Sequence, residues 1–157
     1  MNWIVIDLEL KVKLMDGAPL PKHAKPGDAG LDLTTREDVT LLPGETRLVG
    51  TGVAVEIPEG YFGLLAPRSG LAGKRGVTFA NTPGIIDSGY RGEIKVPLRN
   101  INVSEKWISR NDCVKVDRGE RVCQLIILPC VTCECVQVDE LSETERGEDG
   151  FGSTGSM

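Results

Sequence analysis

The chain has 157 residues, of which 40% are hydrophobic, 26% charged and only 4% aromatic, with 19 Gly and 9 Pro. That much apolar sequence is enough for one domain with a core, which excludes wholesale disorder. A formal net charge of -5 excludes a general nucleic-acid binder, because such proteins neutralise phosphates with basic surfaces.

The first element in chain order is an alternating run. Ile4, Ile6, Leu8, Leu10, Val12 and Leu14 take every second position, which predicts a strand. Asp7 and Glu9 interrupt this run, so it reads neither as an export signal nor as a membrane span. The expected compartment is the cytoplasm, of a bacterial or phage-infected cell. Turn signals follow at Asp16-Gly17, Pro43-Gly44, Pro58-Glu59-Gly60 and Arg118-Gly119. Between them Val53, Val55 and Ile57 alternate, as do Ile94, Val96 and Leu98. The run VCQLIILPCVTCECVQV (122–138) is β-branched and apolar, which predicts buried strands. Short strands at close spacing predict an all-β sandwich, jelly roll or barrel. One short helix is expected from Ser69, with the serine hydroxyl as its cap. From Ser142 the composition turns to Gly and charge. The chain therefore divides into a β-domain, 1–141, and a solvated C-terminal arm, 142–157.

Five cysteines stand at 113, 123, 130, 133 and 135. The odd count argues against a disulfide framework. Cys130-x-x-Cys133-x-Cys135 invites a zinc reading, but strand alternation would put Cys130 on the opposite face from the other two, and the single His, His23, is distant in sequence. Small thiols filling a core in a reducing cell are the plainer expectation.

Five short motifs carry chemistry: DAGLDL (28–33), PRSGLA (67–72), NTPGIIDSGYRGEIKV (81–96), RGERVCQL (118–125) and RGEDGFGSTG (146–155). Each has a bland alternative. Asp87 could cap a turn, Tyr90 could pack at a strand edge, Arg68 could be a solvated surface cation, and a Gly-rich tail is usually a linker. The carboxylate of Asp87 suits a general base, since it can orient a water and accept its proton.

In order and spacing the five motifs resemble those of the homotrimeric dUTPase family. The resemblance implies a jelly-roll subunit and a homotrimer with three active sites, each assembled from all three subunits. It also implies hydrolysis of dUTP to dUMP and diphosphate, which limits uracil in DNA and supplies dUMP for dTMP synthesis. On this resemblance Asp87 activates the water that attacks the α-phosphorus. Tyr90 packs under the deoxyribose and leaves no room for a 2′-hydroxyl. The backbone of Gly84, Ile85 and Ile86, with the Asn81 side chain, pairs with the uracil edge. Gly84 is expected where the backbone turns sharply.

The triphosphate is expected on Arg68, Ser69 and Gly70, with Gln124 and Arg146 as further contacts and Lys95 beside the hairpin. Asp32 is expected to hold Mg²⁺ through water, since the metal rides on substrate phosphates. Phe151 stacks on uracil, and Gly152 and Ser153 close over the phosphates as a lid. Asp149 departs from the family's usual Gly. The segment 103–114, with Trp107, is longer than in compact relatives, as in some phage members, and is a candidate site for a protein partner. No membrane and no direct nucleic-acid partner are expected.

Two other readings compete with this one. dCTP deaminase shares the fold, but its catalytic Glu would fall at Pro97, which cannot do acid–base work. A non-enzymatic regulator would be expected to lack Asp87, Tyr90 or the tail, and all are present.

Overall fold

A computed structural model describes residues 8–15, 17–102 and 112–148. Eleven strands and one helix follow the order β1 (Lys11–Leu14), β2 (Leu31–Thr34), β3 (Val39–Leu41), β4 (Thr46–Gly50), β5 (Val53–Glu56), β6 (Tyr61–Pro67), α1 (Ser69–Arg75), β7 (Val77–Phe79), β8 (Gly84–Ile86), β9 (Lys95–Asn100), β10 (Val114–Val116) and β11 (Arg121–Pro129). All pairings are antiparallel. β2, β11, β6 and β8 form one sheet, β4, β9 and β7 a second, and β1–β5 and β10–β3 two small ribbons. The fold is all-β, a jelly-roll-like distorted barrel.

Period-two patterning builds it. In β9 Val96, Leu98 and Asn100 are buried, while Lys95 and Arg99 face out. Together with Ile94, Val49, Leu33, Leu41, Val116 and Leu125 they form one core. Each fully buried Leu or Ile contributes about 1.5–3 kcal/mol relative to exposure. Asn100 is the polar exception. Its side-chain amide donates to the carbonyls of Leu41 at 3.1 Å and Asp112 at 3.0 Å, tying β9 to β3 and to the start of β10. Thr51 donates its hydroxyl to the Ile94 carbonyl at 2.7 Å, so neither buried group lacks a partner.

Three expectations change. The first strand covers only Lys11–Leu14 among the described residues; Ile4 and Ile6 lie outside them. The run from Val122 is a strand only as far as Pro129. Beyond it the Cys130 N–H still donates to the Gly60 carbonyl at 2.7 Å, and residues 131–141 are exposed and form no strand, with Val131 at 85% and Leu141 at 88%. Ser69 is the first residue of α1, not its cap. Arg68 holds the cap position in extended conformation, and no side chain caps the helix. At the other end Gly76 takes a left-handed φ of 63°, a conformation that costs other residues energy.

Candidate active site

The motif residues fall into two neighbourhoods on one sheet. The first surrounds Asp32. This residue stands opposite Gln124 across β2–β11, and Gln124 stands opposite Ala66 across β11–β6, so the motifs at 28–33, 67–72 and 118–125 meet in one row. Arg68 Nη1 lies 2.9 Å from Asp32 Oδ1, Arg121 Nη1 lies 3.0 Å from Oδ2, and the Gln124 amide reaches Oδ1 at 3.5 Å. Gly30 makes this row possible: a Cβ there would come within 2.8 Å of Gln124 Cβ. Arg68, Gly70 and Arg121 line a cavity of about 240 Å³ with Leu71, Arg75 and Glu120. Ser69 and Gly70 are exposed at the start of α1, where the first N–H groups have no intrahelical acceptor.

The second neighbourhood surrounds Asp87. A cavity of about 260 Å³ is lined by Leu48, Ile85, Ile86, Asp87, Tyr90, Glu93, Ile94 and Lys95. Leu48, Ile85 and Tyr90 stay partly exposed, giving the apolar lining with few polar groups that ordinary ligand pockets have. Turn bonds shape the loop: Tyr90 N–H donates to the Asp87 carbonyl at 3.0 Å, and Arg91 Nη1 donates to the carbonyls of Ser88 at 2.5 Å and Tyr90 at 3.0 Å. The Tyr90 hydroxyl donates to the Glu93 carbonyl at 2.9 Å.

Gly84 begins β8 and is not at a sharp turn. Its need for glycine comes from close approach, since a Cβ would meet Leu65 Cβ at 3.2 Å. Asn81 is exposed just before the cis Thr82–Pro83 bond that leads into β8. Arg146 lies in the turn Thr144–Gly147, remote in sequence from both neighbourhoods, and Phe151, Gly152 and Ser153 lie outside the described residues. So do Asp149 and residues 103–111 of the longer segment, Trp107 among them.

Within one chain the two neighbourhoods stay apart. Ile86 registers with Gly63, at the opposite end of β6 from Arg68. Those five positions span about 16 Å at the rise of an extended strand. The two cavities share no lining residue.

Sequence reasoning missed Arg121, Arg91, Gly92, Glu93 and Arg36. Arg121 was within reach, inside the fourth motif and three residues before Gln124. Glu93 was not. With Ile94 and Val96 inward, alternation puts Glu93 outward, yet its side chain is only 8% exposed. The cysteines also differ from expectation: Cys123 fills the core, whereas Cys130, Cys133 and Cys135 are free and exposed. Among the described residues no group of three or more His, Cys, Asp or Glu side chains is placed to hold a metal ion, and no helix is long and apolar enough to cross a membrane.

A β-barrel that presents a carboxylate in an apolar-rimmed pocket and a separate row of guanidinium groups has the parts of a nucleoside polyphosphate hydrolase. Comparison with known proteins agrees. The dUTPase family model matches residues 16–155. The deoxyuridine 5'-triphosphate nucleotidohydrolase of Thermobifida fusca is 52% identical over 137 residues, 87% of this chain and 73% of that one. That of Nautilia profundicola is 48% identical over 149 residues, 94% and 99% of the two chains. Among solved structures, the Staphylococcus bacteriophage 80alpha dUTPase with dUPNHPP superposes with a TM-score of 0.85 at 37% identity, covering 94% of this chain and 99% of that one. A variant dUTPase of phage phi11 of S. aureus, described as revealing the coordination of a structural Mg(II) ion, gives 0.78 at 31% identity, over 87% and 100%. The chain belongs to the dUTPase family.

Proposed function

We propose that this enzyme hydrolyses dUTP to dUMP and diphosphate at a site that one chain cannot complete alone. The observation that carries the reading is the distance along β6 between Asp87 and the Asp32–Arg68–Arg121–Gln124 row. It is much longer than the α-to-γ span of a triphosphate. A nucleotide whose α-phosphorus lies at Asp87 must therefore take its phosphate contacts from another copy's row. Closed cyclic symmetry makes such shared sites equivalent, and the family resemblance sets their number at three, a homotrimer. The exposed apolar residues Val131, Val136, Val138 and Leu141 support association, because monomers rarely leave such a run in water.

In this reading uracil enters the cavity beside Ile85 and Ile86, and the rigid backbone of Gly84–Ile86, with Asn81, pairs with its edge. Polar pairing of this kind rejects a mismatched base by about 10⁴-fold. The deoxyribose lies on the Tyr90 ring. A 2′-hydroxyl pressed there without a partner costs about 1–3 kcal/mol. Asp87 orients a water and takes its proton as the oxygen attacks the α-phosphorus; the bond to the bridging oxygen breaks, and diphosphate leaves. Lys95 lines the same cavity as this carboxylate.

Arg68, Ser69, Gly70 and Gln124 receive the phosphates, and Arg146 with the arm residues Phe151, Gly152 and Ser153 closes the site. The guanidinium groups now on Asp32 are the ones a triphosphate would engage, which leaves that carboxylate free for water. A single oxygen-donor carboxylate fits Mg²⁺ held through water and phosphate oxygens better than a metal bound directly by protein. When bound, Mg²⁺ neutralises charge on the phosphates, with Asp32 holding its waters.

A phosphate-release screen, coupled through a pyrophosphatase, across dUTP, dTTP, dCTP and UTP tests the reading. Turnover confined to dUTP is expected. Release of ammonia from dCTP would transfer the chain to deamination, and silence with every nucleotide would refute the proposal.

A further inference from the structure

Glu93 connects three parts of the Asp87 pocket, although neither the water nor the uracil edge needs it. Its Oε1 accepts the Gly52 N–H at 2.9 Å and lies 3.2 Å from Arg36 Nε, and its Oε2 lies 3.8 Å from Lys95 Nζ. Its carbonyl oxygen accepts the Tyr90 hydroxyl. The carboxylate is received where the β4–β5 turn has no side chain in the way: a Cβ on Gly50 would meet Oε1 at 2.5 Å and Arg36 Nε at 3.1 Å. Gly92 clears the path between Glu93 and Tyr90, since the first atoms a Cβ there would strike are those of the Tyr90 ring and hydroxyl.

The Tyr90 side chain needs this help. The residue is 44% exposed, so core packing does not hold its ring. What holds it is the bond to the Glu93 carbonyl, and that carbonyl is as well placed as the buried carboxylate anchoring the same residue to Gly52. We propose that Glu93 is a positioning residue for sugar discrimination: by fastening the 90–93 turn to the Gly50–Gly52 turn it fixes the plane of Tyr90 and, through charge, the direction of Lys95. The inference rests on the reading of Tyr90 as the floor under the deoxyribose.

The test is steady-state kinetics on dUTP and on UTP for E93A, E93Q, E93D, R36A and Y90A, each assayed below its melting temperature. E93A should lower kcat/KM for dUTP by about tenfold to a hundredfold and narrow the dUTP-to-UTP ratio, because small misplacements of a binding surface carry such penalties. E93Q keeps an acceptor for the Gly52 N–H and should recover most of the ratio. R36A removes an exposed partner and should change the ratio by about threefold at most. A purely structural role would lower the melting temperature and kcat but leave the ratio untouched. If Y90A collapses the ratio and E93A leaves it at the wild-type value, the proposal is overturned while the reading of Tyr90 stands. If Y90A itself preserves the ratio, that reading fails, and this inference with it. Should E93A not fold, E93D decides: its shorter arm keeps the charge but does not reach Gly52, and an unchanged ratio in E93D overturns the proposal.

Discussion

Arg68 and Asp32 form an ion pair at 2.9 Å across the row that joins β6 to β2, with the Asp32 side chain only 7% exposed. Arg121 occupies its other oxygen, so the carboxylate is fully engaged by the protein's own cations. On the proposed reading, a triphosphate arriving at this row would meet guanidinium groups already aligned by a buried anion.

Asp32→Asn tests that arrangement. The amide keeps one acceptor for Arg68 but loses charge, and the variant should be less stable by about 1.5–3 kcal/mol, the scale for a hydrogen bond to a charged group. It should also need more Mg²⁺ for half-maximal activity. Thermal melts and a Mg²⁺ titration of turnover check both outcomes, and an unaltered titration would remove Asp32 from the metal's shell.

Asp87→Asn preserves shape and removes the proton acceptor. Turnover should fall by about 10²–10⁴-fold, the usual contribution of a general base. Calorimetry with a non-hydrolysable dUTP analogue should find binding nearly intact. Near-normal turnover would show that another group activates the water.

Truncation separates assembly from closure. A chain ending at Glu145 loses Arg146 and the rest of the fifth motif, and should lose most activity while sedimenting at the mass of three chains. A chain ending at Pro129 also loses Val131, Val136, Val138 and Leu141, and should fail to form the trimer. A fully active enzyme ending at Glu145 would rule out the arm as a lid.

Cys123 makes stability depend on alkaline pH. Burial pushes its thiol from an ordinary 9.0 up to about 12, with the neighbouring Asp32 charge adding to the shift. A folded-state value above the unfolded one means full stability below pH 9, lost progressively as pH rises towards 12, because only the unfolded chain then gains the thiolate. The loss should approach about 1.4 kcal/mol per pH unit from this group. Denaturant melts from pH 8 to 10.5 should fall more steeply for the wild type than for Cys123→Ala, and equal slopes would contradict the assignment.

Much of this protein is local information. Alternation at Ile94, Val96 and Leu98 determines a strand and its inward face, because side chains of an extended chain point to opposite sides at successive residues. The motif at 81–96 likewise determines, without coordinates, that Asp87, Tyr90 and the Gly84–Ile86 hairpin belong together, since they are near neighbours in the chain. Tertiary structure alone decided the rest. That Asp32, Gln124 and Arg68 meet depends on the register of β11 against β2 and β6, and registers join residues that no sequence window contains. That Glu93 turns inward depends on Gly50 leaving room for its carboxylate and Gly52 supplying an N–H there, against the alternation set by Ile94 and Val96. That residues 131–138 form no strand, although their composition reads as a buried one, turns on the lack of a strand partner for them among the described residues, which composition does not reveal. Periodicity tells a residue which way to face; only the partner strand and the space behind it determine what it meets.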